Sequence, residues 1–143
     1  MQAQALEVFP CALVEIKKFV EENHYSRSVN GVKIRQCFKV VCAGQLVGGV
    51  IFGQLSTTAW KRFATNESDV LELRRLVLKD EAERNSETWV IARCLRWIKR
   101  YLPQVKVIVS YADPAFGHVG TIYRAANFAY LGITKGDVAF RDV

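Results

Sequence analysis

The run from Val70 to Tyr111 constrains the fold more than any other part of the chain. Val70–Leu78 reads as a strand that alternates at first, through Val70, Leu71 and Leu73, and then breaks phase at Arg74-Arg75-Leu76. Glu87–Tyr101 reads as a helix: Val90, Ile91, Cys94, Trp97, Ile98 and Tyr101 recur on one face, and Arg93, Arg96, Lys99 and Arg100 make a basic side. Asn85 or Ser86 can cap its start, and Leu102-Pro103 ends it. Val105–Tyr111 is almost continuously apolar, the pattern of a central strand covered on both faces. A strand, a crossover helix and a second strand in this order make a parallel pair. A mixed sheet flanked by helices is the architecture that holds such a unit.

The remaining segments fit around it. A strand at about Ala5–Phe9 leads into Pro10, which suits the first turn of a helix. Leu13, Ile16, Phe19 and Val20 then recur at helical spacing, and that helix fades at Asn23-His24. Ile34–Cys42 and Leu46–Gly53 make a hairpin turned at Ala43-Gly44-Gln45, and Gly48 and Gly49 imply a bulge or a close backbone approach. A second helix is expected over His118–Ala126, with strands at Phe128–Ile133 and Val138–Phe140. No linker or repeat divides the 143 residues, so one domain over residues 1–143 is expected.

Composition narrows the class. Half of the residues are hydrophobic (50%) and 24% are charged, which excludes a disordered chain, a collagen and a coiled coil. No apolar run approaches the roughly 18–20 residues that span a bilayer, and Met1–Glu7 lacks the pattern of a signal peptide. A cytoplasmic protein with no membrane partner is expected. Cys11, Cys37, Cys42 and Cys94 contain no C-x-x-C pair, and Cys37 and Cys42, five apart on one strand, face opposite ways. Four reduced thiols fit that compartment. Twenty Lys+Arg against 14 Asp+Glu give +6, a balance that suits a polyanionic partner such as nucleic acid.

Four segments carry polar groups suited to chemistry. Ser110–Tyr123 crowds Asp113, Gly117, His118 and Gly120 after the carboxyl end of a central strand, where ligands bind in open α/β sheets. Asp113 is suited to orient or deprotonate a group and His118 to act as an acid/base. The same residues also make an ordinary connection with Asp113 capping the turn. Leu78–Glu87 ends at a helix N-terminus, where free N–H groups favour a phosphate; Arg84, Asn85 and Ser86 are suitable donors beside several acidic residues. His24-Tyr25-Ser26-Arg27 follows the first helix. Trp60-Lys61-Arg62-Phe63 combines rings that stack bases with cations that meet phosphates; it equally suits a loop packed over the core. Arg74 and Arg75, adjacent on a strand, are expected to face opposite ways. No nucleophile elbow, phosphate-binding Gly-rich loop or zinc signature is present.

Val109-Ser110-Tyr111-Ala112-Asp113-Pro114 with Gly117-His118-Val119-Gly120-Thr121-Ile122-Tyr123-Arg124-Ala125-Ala126-Asn127-Phe128 resembles the Mom family of bacteriophage DNA-modification proteins. His24-Tyr25-Ser26-Arg27, Leu73-Arg74-Arg75-Leu76 and Ser86-Glu87-Thr88-Trp89 fit the same family. The resemblance spans about Asn23 to Gly132. It implies a GNAT-like acyltransferase fold and conversion of DNA adenine to N6-carbamoylmethyl-adenine with acetyl-coenzyme A, which hides phage DNA from host restriction. The expected partner is double-stranded DNA in the host bacterial cytoplasm.

The resemblance also implies site residues. Arg75, Asp113 and Tyr123 match residues implicated in the family's function. Tyr123 or Asp113 is expected to handle protons and Arg75 to hold a charged group, with His24 and His118 lining the site. Arg84, Asn85 and Ser86 are the candidates for coenzyme A, because the Gly-rich pyrophosphate loop usual in GNAT enzymes is absent between Leu78 and Ser86. Tyr25, Arg27, Trp60, Lys61 and Arg62 are the candidates for DNA contact. An iron requirement is proposed for the family; the metal is left open here, and a homodimer is an assembly common among such folds. The alternatives are a GNAT-type N-acetyltransferase acting on a protein or small amine, and a non-catalytic nucleic-acid-binding module.

Overall fold

The computed structural model describes residues 5–23, 33–55, 59–79, 86–112, 129–134 and 137–142. They form strands β1 (Leu6–Cys11), β2 (Ile34–Cys42), β3 (Gln45–Gly53), β4 (Val70–Leu78), β5 (Val107–Ala112), β6 (Ala129–Thr134) and β7 (Asp137–Asp142). Two α-helices are described, α1 (Lys17–Asn23) and α2 (Ser86–Tyr101). All the strands join one sheet in the order β1-β2-β3-β4-β5-β7-β6. Only β4 and β5 are parallel; every other neighbouring pair is antiparallel. The expected crossover unit therefore forms, with α2 carrying the chain from β4 back to the start of β5. The mixed α/β sheet expected from the sequence is the fold observed.

The sheet has a helix layer on each face. On one face Val90, Ile91, Cys94 and Ile98 of α2 meet Phe38, Val40, Val50, Phe52, Leu71 and Leu73 of the sheet. Each such buried aliphatic side chain contributes about 1.5–3 kcal/mol. Phe38 lies at the centre, its ring 5.8 Å from Phe52 and 5.3 Å from Trp97, both edge-on. On the other face Ile16 and Val20 pack on Cys37, Ile51 and Val77. This helix layer lies close to the backbone: a Cβ at Gly49 would sit 3.0 Å from Val20 Cγ2 and 3.3 Å from Ile16 Cβ. The close approach expected at the glycine pair is thus present, and a bulge interrupts the β2–β3 register beside it, between Val40 and Val41.

Local chemistry explains two departures from expectation. Pro10 does not open a helix; it lies inside β1, opposite Phe38. β1 is at the edge of the sheet, where proline's missing N–H need not break a ladder. The helix starts later, as a 3-10 turn at Leu13–Glu15 followed by α1. The hairpin turn is two residues long, Ala43 and Gly44, with φ of +51° and +79°, as a type I′ turn requires. Cys37 and Cys42 lie on opposite faces as expected: Cys37 joins the α1 side, and Cys42 pairs with Leu6, which packs on the α2 side. All the cysteines are free, and Cys11 stands directly opposite Cys37. No described helix is long and apolar enough to cross a membrane. The helix expected over His118–Ala126 lies outside the described residues.

Candidate active site at the opening between two parallel strands

The β4–β5 ladder is short. It runs from Val70 opposite Val107 to Leu73 opposite Ser110. Both strands continue, β4 to Leu78 and β5 to Ala112, without pairing to each other. Ser110 is fully buried, and its hydroxyl donates to the Leu73 carbonyl at 3.4 Å, across the last paired position. Past that point the sheet opens at the carboxyl ends of two neighbouring parallel strands. Main-chain groups of β4 on that edge have no partner in β5, and buried main-chain groups need one.

A β-bulge sits at the mouth of this opening. Ile51 pairs with Arg75 and the next residue, Phe52, with Leu73, so Arg74 is the extra residue. This corrects the expectation that Arg74 and Arg75 face opposite ways. Strand alternation holds only where no residue is inserted. Arg75 lies opposite Ile51, which packs in the α1 layer. Arg74 reaches back along the same face to Glu72, with Nη1 at 3.1 Å from Oε1. Glu72, Arg74 and Arg75 thus share one face of β4. Val70, under the Trp60–Phe63 segment, lies before them and Val77, under α1, after them.

A polar network fixes these side chains. Arg74 Nη1 also donates to the Gln54 carbonyl at 3.4 Å. Gln54, 8% exposed, donates its side-chain amide to the Glu67 carbonyl and its main-chain N–H to the Lys33 carbonyl. Arg75 Nη1 donates to the Arg74 carbonyl at 2.9 Å, which ties its guanidinium to the bulge itself. Glu72 and Arg75 are each further engaged, so neither is a free charge. The pair Glu72–Arg74 and the buried Gln54 were not singled out from sequence. Their signal was present: Glu72 and Arg74 are two apart on a strand, and such residues share a face.

Other candidate residues fall in different places. Ser86 is the first residue of α2 and is buried. By topology it stands at the same end of the sheet as the opening, because α2 runs back to the amino end of β5. Arg84 and Asn85 lie outside the described residues, as do His24, Tyr25, Arg27, Asp113, His118 and Tyr123. Lys33 is the first described residue after the segment holding His24, Tyr25 and Arg27; its carbonyl meets Gln54 beside Arg74. Ala112, which precedes Asp113, ends β5 at the open side. Trp60 belongs to a short 3-10 turn and packs on Leu55, Val70 and Val109. Lys61 and Arg62 are exposed, with Lys61 Nζ 5.8 Å from the Trp60 ring and Arg62 Cζ 5.6 Å from that of Phe63. Among the described residues no three His, Cys, Asp or Glu side chains cluster as a metal site would need.

Residues 5–143 match the family model of the Mom protein family. The chain belongs to the Mom protein family. A curated relative, the methylcarbamoylase mom of Escherichia phage Mu, is 31% identical over 131 residues, which cover 89% of this chain and 53% of the relative. The chain thus spans about half the length of that relative. Solved structures show what fold this Mom-family chain adopts. A crystal structure of aminoglycoside acetyltransferase AAC(6')-Ib with coenzyme A and kanamycin superposes with a TM-score of 0.72 at 13% identity, over 97% of this chain and 95% of that one. An acetyltransferase of Bacillus subtilis in complex with CoA gives 0.65 at 8% identity, over 96% and 98%. A GNAT-family protein from Desulfovibrio desulfuricans gives 0.67 at 11% identity, over 96% and 98%. The fold is GNAT-like, as the sequence resemblance implied.

Proposed function

We propose that this chain is a GNAT-fold transferase that modifies adenine in double-stranded DNA, giving N6-carbamoylmethyl-adenine with acetyl-coenzyme A as the carbon donor. The observation that carries the reading is the opening after Leu73 and Ser110 in a Mom-family chain, with Glu72, Arg74 and Arg75 on one face at its mouth. The residues present suit the cofactor. An amide-bearing arm can pair with the β4 edge that β5 leaves bare, as an added strand does. The start of α2 at Ser86 offers main-chain N–H groups to phosphates, and Arg84 and Asn85 precede it in the chain. Bound there, acetyl-coenzyme A supplies an activated two-carbon unit.

This chain's residues bind and orient. Arg75, anchored to the Arg74 carbonyl, holds an anionic group of cofactor or substrate. Asp113 and Tyr123 handle protons at the adenine N6, and His24 and His118 line the site. Tyr25, Arg27, Trp60, Lys61 and Arg62 contact DNA on this reading. The target base must leave the duplex stack to enter such a site. A carbamoylmethyl group joins N6 through CH₂, whereas plain acyl transfer joins through the carbonyl carbon. The N6–CH₂ bond replaces a C–H bond of the acetyl methyl and needs a two-electron oxidant. The amide needs an ammonia-level nitrogen that displaces the coenzyme A thiol, so both are co-reactants beside acetyl-coenzyme A. On this reading residues 1–143 form one domain, which acts in the cytoplasm of the host bacterium and shields phage DNA from restriction.

Mass spectrometry of nucleosides from cells expressing the chain tests the reading. Wild type yields adenosine heavier by a carbamoylmethyl group, while Arg75→Ala and Asp113→Ala, still folded by circular dichroism, yield none. Unmodified nucleosides from folded wild type refute it. Acetylation of a polyamine or peptide in place of DNA would establish the small-amine or protein acetyltransferase instead.

A further inference from the structure

Helix α2 buries Val90, Ile91, Cys94 and Ile98 and leaves a second side that the fold does not use. Trp89, Arg93, Arg96, Lys99 and Arg100 are all exposed on it, and Tyr101, which the sequence placed on the apolar face, is exposed at the helix end with its ring 5.0 Å from Trp97. Positions 89, 93, 96 and 100 line up on one stripe of a helix, about 16 Å long at 1.5 Å per residue. Successive members stand about 5–6 Å apart at Cβ. Between Thr88 and Ala112 the sequence has five Lys or Arg and no Asp or Glu, nearly the whole net charge of +6. Glu87 is the one carboxylate of the helix, in its first turn. The ion pairs among the described residues, Lys39–Glu15 and Arg74–Glu72, use none of these cations.

Two aromatic rings set the guanidiniums in place. Arg93 Cζ lies 4.8 Å from the centre of the Trp89 ring, and Arg100 Cζ lies 5.5 Å from that of Tyr101. The rings are 37% and 55% exposed. A guanidinium held against a ring loses less freedom when its N–H groups bind a phosphate. Beside the stripe a groove of about 510 Å³ runs between α2 and the start of β5. Arg96, Lys99 and Lys106 rim it over Leu95, Ile98 and Val105. It lies at the amino end of β5, whereas the opening begins after Ser110.

We propose that the outward side of α2 and the adjoining groove form a docking surface for the phosphodiester backbone of duplex DNA, separate from the opening between β4 and β5. The proposal rests on DNA being the substrate and adds where its backbone lies. The stripe begins one turn from Ser86, at the open end of the sheet, and runs away from it. A backbone lying along the stripe therefore starts at the open end of the sheet and continues down the helix. A bilayer does not fit this surface, because the apolar side of α2 is already spent in the core. A row of cations with no interleaved carboxylate matches a uniform polyanion rather than a protein of mixed charge.

The test is binding of a fluorescein-labelled duplex by the whole chain, measured by anisotropy between about 50 and 200 mM NaCl. Wild type is compared with the quadruple variant Arg93→Gln, Arg96→Gln, Lys99→Gln, Arg100→Gln and with the control Lys17→Gln, Lys18→Gln on α1. Circular dichroism and urea midpoints check the folds. The quadruple variant should lose about 3 to 4 from the slope of log K against log salt, each lost phosphate contact removing about 0.9. Its affinity should fall at least about 100-fold near 150 mM salt, on the scale of several lost contacts, with the control unchanged. A quadruple variant that binds as wild type does overturns the proposal, as does a wild type that binds no duplex or a control that loses as much. Nucleoside mass spectrometry on the same variants separates the two claims. Duplex binding through α2 with no modified adenine in wild type refutes the transferase reading and keeps the surface. Normal modification and affinity in the quadruple variant refute the surface and keep the reading.

Discussion

Replacing Gly53 with alanine would put a methyl group 2.7 Å from the Lys33 carbonyl oxygen. It would also lie 3.2 Å from Arg74 Cδ, but a long side chain swings away at little cost. The carbonyl is less free, because it accepts the Gln54 N–H at 2.9 Å. Ordinary contact begins at 3.4 Å, so the carbonyl must withdraw by about 0.7 Å, which stretches that hydrogen bond to its limit. Loss of the bond costs about 1 kcal/mol, and leaving the N–H of largely buried Gln54 poorly satisfied adds about 1 more. Alanine returns about 0.5 kcal/mol by stiffening the unfolded chain. The net destabilisation is about 1.5 kcal/mol, a urea midpoint lower by about 0.5–1.5 M at ordinary m-values. Far-UV circular dichroism during urea titration measures it. Gly44→Ala makes the comparison: its Cβ meets nothing within 4 Å, and its φ of +79° alone costs about 1 kcal/mol. A Gly53→Ala midpoint equal to or above wild type would refute the close approach at Lys33.

Phe38→Ala removes the ring at the centre of the α2-side core and should cost about 3–5 kcal/mol, read from the same titration; a loss under about 1 kcal/mol would mean that Phe38 does not hold that core. Burial pushes the Cys11 thiol up to about 12 and the Cys37 thiol up to about 11. The folded state therefore keeps protons that the unfolded chain releases above its thiol range, and stability should fall as pH rises from about 9 towards 11. Iodoacetamide should label these thiols slowly at pH 8 in the native protein and quickly in urea, and equal rates would refute their protection. Deleting Arg74 should restore alternation with Leu76, Val77 and Leu78 on their present faces; the chain should fold yet lose adenine modification, and unfolding would show that the sheet needs the bulge.

The β4–α2–β5 unit was legible because its signals are long and local. The apolar stripe of α2 covers about three turns, and the run into β5 has no competing period. Pro10 was misread because two rules favour the same residue: proline suits a helix start and also an edge strand. Only the pairing of β1 with β2 at the sheet margin decides between them. The phase break at Arg74-Arg75-Leu76 was visible, but its meaning was not. A bulge is defined by two residues facing one on a partner strand, and the partner, Ile51-Phe52, is more than 20 positions away. Trp60 was legible as an aromatic beside cations, yet its ring packs on Val70 and Val109, a contact that depends on where β4 and β5 lie. The basic side of α2 was likewise visible as charge, whereas the lack of carboxylate partners among the described residues is a property of the folded neighbourhood.

The bulge and the opening share one cause in the chain. β4 pairs with β5 up to Leu73, and the inserted residue is the next one, Arg74. A bulge bends its strand and increases the local twist. Twist added at that position swings the rest of β4 with β3, to which it remains paired through Gly48 and Leu78. It swings away from β5, whose other edge is held by β7 from Ile108 to Ala112. Each strand keeps its outer neighbour, so the strain is relieved between them, past the long Ser110–Leu73 bond at the last paired position. The same insertion gives Arg75 a carbonyl to grip and sets it on the face of Arg74 and Glu72. One extra residue thus parts the strands and brings the charges to the gap, which is why the break in alternation was the most informative irregularity in the sequence.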